Sequence, residues 1–200
     1  MQFIAPRFIR AAALAGLAFT VGVAQAHTGH GTSGISEGLA HPLGADHLLA
    51  MLAVGIWSVS ALPAGKVWWG PTTFLLSLVI SAALGAAGLQ VPFLEQMIAL
   101  SVVVFGAMLV LTRLTMPVSW GLGLVALAAA LHGLAHGAET PASGFVAYAL
   151  GFVATTAALH IGGVVAGLAM RQYMARNATW AMAGLGTLCS GSGIYLFSQL

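Results

Sequence analysis

Residues 118–138, VSWGLGLVALAAALHGLAHGA, form one apolar run without a single Asp, Glu, Lys or Arg. At 1.5 Å per residue, a helix of this length crosses the roughly 30 Å hydrocarbon core of a bilayer. A helix also satisfies its own backbone hydrogen bonds there. The run therefore predicts a transmembrane helix. Its two histidines, His132 and His136, point to a function, because ionisable residues are costly in hydrocarbon.

The rest of the chain has the same apolar character. Of 200 residues, 60% are hydrophobic and 5% are charged, and the mean hydropathy is +0.99, whereas soluble domains carry about 25% charged residues. Six basic and four acidic side chains are too few to form a nucleic-acid-binding surface. The composition predicts an integral protein of the lipid bilayer with no nucleic-acid partner.

Six apolar stretches predict an all-α bundle of six transmembrane helices. Residues 1–26 carry Arg7 and Arg10, then an apolar run and AQA, which is typical of a cleavable signal peptide. An uncleaved anchor helix is the alternative. Residues 27–40 are predicted to be a periplasmic leader rich in Gly and His, and residues 41–200 the transmembrane domain. The predicted spans are 41–61, 69–89, 95–115, 118–138, 143–169 and 178–198.

The few basic residues predict which way the bundle faces. Lys66, Arg113, Arg171 and Arg176 lie in the linkers after spans one, three and five. Basic residues favour the cytoplasmic side, and a cleaved signal peptide leaves the new amino terminus outside, so the two signals agree. We expect a multi-pass protein of the bacterial inner membrane with both mature termini in the periplasm.

Small residues in the last two spans predict close helix packing. Gly163 and Gly167 lie in span five, and several glycines lie within residues 184–193 of span six. Glycine lets helix backbones approach each other closely in membranes. We therefore expect spans five and six to pack against each other.

Three polar residues share one face of the fourth span. His132, His136 and Glu139 stand at positions i, i+4 and i+7, which lie on one side of an α-helix. Two histidines four residues apart are a recurrent way for a helix to offer two imidazoles to one metal ion. Glu139 can add an oxygen ligand or orient an imidazole. Hydrogen bonding between helices is the alternative role for the histidine pair.

The first span begins with a second polar group, HPLGADHLLAML, residues 41–52. His41 lies near the predicted helix start, with Asp46 and His47 one to two turns deeper. Because Asp46 and His47 are neighbours, we expect them to point in different directions. Asp46 would face the bundle interior, and His47 would bind metal from one flank. Met51 lies on the face of His47 and is a candidate soft ligand or a packing residue.

The remaining histidines suggest a path and a capture arm. His160 lies well inside span five and is a candidate for the next position on an ion path, or a structural histidine. His27, the expected mature terminus, and His30 are a candidate capture arm or a plain linker.

The available ligand types limit the choice of metal. The single cysteine, Cys189, excludes a thiolate cluster within the chain. Nitrogen and oxygen ligands suit Ni²⁺, Zn²⁺, Co²⁺ or Cu²⁺. The predicted metal-site residues are His41, Asp46, His47, His132, His136 and Glu139.

These motifs resemble those of the HupE/UreJ family of hydrogenase and urease accessory proteins, which are regarded as nickel permeases. The family's first-helix signature is matched by His41, Pro42, Gly44, Asp46, His47 and Met51. Its fourth-helix element is matched by His136, Gly137, Glu139 and Pro141. The resemblance covers the whole chain. It implies import of Ni²⁺ from the periplasm for metalloenzyme assembly, with cobalt or another divalent ion as alternative cargo.

A permease is the favoured function. It would capture a divalent metal cation between spans one and four and pass it inward past His160, with no permanently bound cofactor and no enzymatic activity. The chain has no G-x-x-x-x-G-K-[ST] motif for ATP hydrolysis, so the membrane potential or protons would drive transport. One alternative is an intramembrane zinc-dependent hydrolase, in which an acidic residue activates water. The other is a metal-binding accessory or sensor protein without transport.

Overall fold

Long helices make up most of the chain, and each coincides with an apolar stretch of sequence. The computed structural model describes residues 34–114, 116–139, 145–174 and 177–200. A short helix, α1 (Ile35–Ala40), comes first. The long helices are α2 (Ala45–Ala61), α3 (Trp69–Ala86), α4 (Leu94–Val110), α5 (Val118–Ala138), α6 (Phe145–Met174) and α7 (Ala178–Ser198). Helices α2 to α7 correspond to the six predicted apolar stretches, so the predicted all-α fold is confirmed for the described residues.

Length and composition support three or four membrane spans. Three helical segments meet both requirements, namely Ala64–Ala86, Val118–Ala138 and Phe145–Met174. The segments Ile35–Leu43 and Ala45–Ala61 together make a fourth, although they meet at a bend of 72°. Helix α4 is apolar but only 17 residues long. The bundle of six spans stays a prediction.

The outer surface of the bundle is apolar. Leu76 and Ile80 on α3 are exposed, as are Leu150 and Val165 on α6. Soluble monomers rarely expose contiguous apolar surfaces of this kind, because such surfaces drive association in water. Such a surface is suited to contact with lipid tails, so the fold is that of a membrane protein.

Helix α3 ends in a tight turn at Gly88. The amide of Gly88 donates to Gly85 O, and the amide of Leu89 donates to Leu84 O. These two hydrogen bonds together form a Schellman cap. Gly88 has φ +93°, a backbone region that is unstrained mainly for glycine. The turn reverses the chain towards α4.

Glycines allow close approach between helices that are distant in sequence. Gly163 and Gly167 of α6 pack against α2, and a Cβ atom on Gly163 would lie 2.5 Å from Leu52 O. Gly186 and Gly193 of α7 pack against α4. The expectation that the last two helices pack on each other through these glycines is therefore wrong. Small residues show which face packs closely, but the partner depends on the whole arrangement of the bundle.

One end of the bundle collects histidines, and the other end collects basic residues. We call the first the histidine end; it contains His41, His47, His132 and His136. At the opposite end, Nη1 of Arg171 donates to Val59 O at 3.1 Å. Nζ of Lys66 lies 4.2 Å from the centre of the Trp69 ring there. Histidine and basic side chains are thus separated along the helix axes.

The short helix α1, which precedes the long helices, packs against them. Helix α1 packs against α6, where a Cβ atom on Gly38 would meet Tyr148 O. The hydroxyl of Thr155 on α6 donates to Leu39 O at 3.0 Å. The predicted leader therefore ends in an ordered helix. The predicted signal peptide (1–26), His27, His30, Pro141 and Arg176 lie outside the described residues.

Candidate metal centre

Two antiparallel helices, α2 and α5, bring three histidines together. His47 lies in the first turn of α2, and His132 and His136 lie towards the end of α5. At the other end of this pair, Trp57 of α2 packs on Gly121 of α5. Because α2 and α5 run in opposite directions, the beginning of one helix meets the end of the other.

The ring nitrogens of three histidines converge. Nε2 of His47 lies 3.2 Å from Nδ1 of His132 and contacts Nε2 of His136 directly. The three side chains are buried, and His132 is 0% exposed. One nitrogen from each residue lies within 4.8 Å of the others. We call this group the three-histidine cluster.

Asp46 orients the ring of His47. Nδ1 of His47 lies 2.8 Å from Oδ1 of Asp46. A carboxylate can only accept a hydrogen bond, so Nδ1 carries the hydrogen. In the neutral ring, the lone pair is then on Nε2, which faces the cluster. Carboxylates commonly support metal-binding histidines in this way.

Ser101 of α4 orients the ring of His132, as Asp46 orients that of His47. Its hydroxyl donates to Ile98 O at 2.7 Å, so its oxygen accepts from Nε2 of His132 at 3.0 Å. The lone pair of His132 is therefore on Nδ1, which faces His47. With His47 neutral, two lone pairs face each other with no hydrogen between them, and a cation bound there would relieve their repulsion.

A second group of ligand atoms lies at the rim of the cluster. Atoms of His41, His136 and Glu139 lie within 4.8 Å of one another. Nδ1 of His136 is 3.9 Å from Oε2 of Glu139 and is buried without a hydrogen-bond partner. His41 is partly buried and Glu139 is exposed. His136 thus belongs to both groups and links the surface to the buried histidines.

Aromatic rings of α6 wall off this region. The ring centre of Phe152 lies 4.7 Å from that of His136 and 5.9 Å from that of His41. Tyr148 lies 5.9 Å from His41. These rings cover the histidines and limit the access of water, which strengthens electrostatic interactions inside.

Comparison with known proteins places the chain in one family. The family described as HupE / UreJ protein matches residues 14–196. The chain belongs to the HupE/UreJ family. It is also 38% identical over 144 residues to Protein HupE of Rhizobium leguminosarum bv. viciae, covering 71% of this chain and 74% of that protein. No solved structure matches the chain.

In this HupE/UreJ chain, the residues predicted for the metal site lie together. Asp46 and His47 contact each other, so the expectation that they point in different directions is wrong. The side chain of Asp46 turns to the edge of the neighbouring ring and lies behind His47. His160 lies deeper in α6, and Met51 lies in the apolar core. The predicted residues that the structure brings together are His41, Asp46, His47, His132, His136 and Glu139.

Ser101 is the residue that sequence reasoning missed. It is a small polar residue in an apolar helix, and such residues often bond only to their own backbone. Its partner His132 is 31 residues away. The only signal available in the sequence is a serine inside a span, which does not indicate a partner.

If the three-histidine cluster binds Ni²⁺, replacing Ser101 by Ala is expected to weaken that binding about tenfold to 100-fold, as is usual for residues that orient metal ligands. His132 would lose the acceptor that keeps its Nδ1 lone pair directed at the cluster. Ser81→Ala is the matched control, because the buried hydroxyl of Ser81 bonds to carbonyls of its own helix. Calorimetric titration of both variants checks this. Equal affinities would show that Ser101 does not position His132.

Proposed function

We propose that this HupE/UreJ chain is a membrane permease that imports a divalent transition-metal cation, Ni²⁺ above all, for hydrogenase or urease metallocentre assembly. The observation that carries the proposal is the convergence of three buried imidazole nitrogens, with Asp46 and Ser101 directing two of the lone pairs inward. Imidazole nitrogen suits Ni²⁺, Co²⁺ and Zn²⁺. The family resemblance favours Ni²⁺ among them.

The donor set suits an ion in transit. Neutral imidazoles bind the cation without cancelling its charge, and a transported ion must bind firmly enough to enter yet weakly enough to leave. His41 and Glu139 at the rim can receive the ion first, and His136 can hand it to His47 and His132. No metal needs to stay bound for the protein to act in this way.

Charge placement supports entry from the periplasm. Lys66 and Arg171 lie at the end away from the histidines, and basic residues mark the cytoplasmic side. With six spans and a cleaved signal peptide, the histidine end and both termini would face the periplasm of a bacterial inner membrane. The membrane potential then favours entry by about 2.3 kcal/mol per charge per 100 mV.

An intramembrane zinc hydrolase is the second candidate. It would need a metal with an open position beside a substrate cavity. In the described residues, cavities of about 220 Å³ and 400 Å³ lie at the opposite end, where Met108 and Leu111 line both. The three-histidine cluster itself is filled by its own rings, which favours ion binding over hydrolysis. An accessory or sensor protein would share the site but would not move the ion.

Uptake of radioactive Ni²⁺ into proteoliposomes tests the proposal. Wild-type protein is expected to accumulate Ni²⁺ under an inside-negative potential, while Asp46→Asn and His136→Ala lose most of this uptake. Co²⁺ and Zn²⁺ are measured in parallel to identify the cargo. A wild-type protein that takes up none of the three ions is not a permease. Zinc retained through purification, together with turnover of a peptide or lipid, would support the hydrolase instead.

A further inference from the structure

Two polar atoms deep in the bundle lack hydrogen-bond partners. His160 and Thr156 of α6 are 1% and 0% exposed. Nδ1 of His160 donates to Thr156 O at 2.8 Å, which leaves a lone pair on Nε2. Nε2 of His160 and Oγ1 of Thr156 are both buried without a partner. Buried polar atoms normally have a hydrogen-bond partner, so these two atoms are available to bind a water molecule or an ion.

These atoms lie on the face of α6 that begins at the cluster. Phe152, Thr156 and His160 are spaced four residues apart and therefore share one helix face. Phe152 lies against the ring of His136. Thr156 and His160 follow one and two turns farther along the helix, and His160 lies roughly 12 Å beyond Phe152 at 1.5 Å per residue.

Phe74 of α3 lies next to the deepest residue of the cluster and next to His160. Its ring centre is 6.1 Å from that of His132 and 4.8 Å from that of His160. Phe74 is itself 0% exposed. An apolar ring at such a point excludes water, and hydrophobic constrictions gate channels in this way. The face of the ring also attracts cations.

We propose that Nε2 of His160, with the hydroxyl of Thr156 one turn away, forms a second binding position for the transported cation, separated from the three-histidine cluster by the ring of Phe74. This inference rests on the proposed transport function. One imidazole and one hydroxyl bind a divalent cation more weakly than three imidazoles, so the ion would keep several waters. Weak binding suits the step before release.

Equilibrium binding of Ni²⁺ in detergent and its uptake into proteoliposomes test the second position. In His160→Leu, which removes the nitrogen with little loss of volume, uptake is expected to fall at least about tenfold, as when a supporting metal ligand is lost. The affinity of the cluster should stay unchanged, while a second, weaker equivalent of bound Ni²⁺ disappears. Thr156→Val should also lower Ni²⁺ uptake. Thr187→Val, an exposed threonine of α7, is the matched control and keeps both properties.

The outcomes separate this inference from the transport proposal. Wild-type uptake by His160→Leu would overturn the second position and leave transport intact. If wild-type protein takes up no Ni²⁺, the transport proposal fails. The second position is then decided by binding alone: an equivalent lost only in His160→Leu supports it, and one retained there overturns it. Phe74→Leu should make proteoliposomes leak protons under a potential, because the smaller side chain would let water pass between the cluster and His160. If this variant leaks protons no faster than wild type, the ring of Phe74 is not the barrier to water.

Discussion

Replacing His47 by Gln is expected to lower the affinity for Ni²⁺ by at least about 100-fold, the upper end of the effect of losing a residue that merely supports a ligand. His47 contacts both of the other cluster histidines through one nitrogen. Its loss therefore removes a candidate ligand and leaves Asp46 without its partner. Titration of purified protein with Ni²⁺ measures the affinity, and Ni²⁺ uptake should be lost in parallel.

Met51→Leu is the matched control for this change. Met51 lies one turn beyond His47 on the same helix, is 0% exposed and packs in the apolar core. Exchange of Met for Leu nearly conserves volume, so we expect unchanged Ni²⁺ affinity. Weaker binding in Met51→Leu would make its sulfur a ligand. Unchanged affinity in His47→Gln would contradict the three-histidine cluster as the metal site.

Gly137→Ala is expected to destabilise the bundle by about 1–3 kcal/mol or more, as overpacking of a filled core does. A Cβ atom at Gly137 would lie 2.8 Å from the carbonyl carbon of Ala82 and 2.9 Å from its Cα. These are backbone atoms of α3, so the two helices must move apart. His136 precedes Gly137 and would move with it. Thermal unfolding in detergent should show a lower midpoint, and Ni²⁺ binding should weaken.

Gly123→Ala on the same helix is the control. A Cβ atom at Gly123 meets nothing within 4 Å, and alanine favours a helix over glycine by about 1 kcal/mol. We expect this variant to be as stable as wild type or more so. If the two variants unfold at the same temperature, the close approach of α3 and α5 at Gly137 does not limit stability.

Residues on one helix were the predictable part of the site. The spacing of His132, His136 and Glu139 sets their shared face through the helical repeat alone. Pairings between helices could not be predicted in the same way. Ser101 and His132 lie on different helices, and their hydrogen bond depends on how α4 packs beside α5. The local contact of Asp46 with His47 also escaped, because it depends on the side-chain rotamer.

The membrane class, the apolar helices and the two histidine motifs can be read from the amino-acid sequence alone. A helix in hydrocarbon satisfies its backbone locally and needs no partner to form. Which helices meet becomes apparent only in the packed bundle. His47 and His136 are 89 residues apart, and Gly163 packs on α2 rather than on its neighbour in sequence. Small residues permit close contact with any suitable surface, so the partner follows from packing the whole bundle. That packing converts two separate motifs into one candidate metal site.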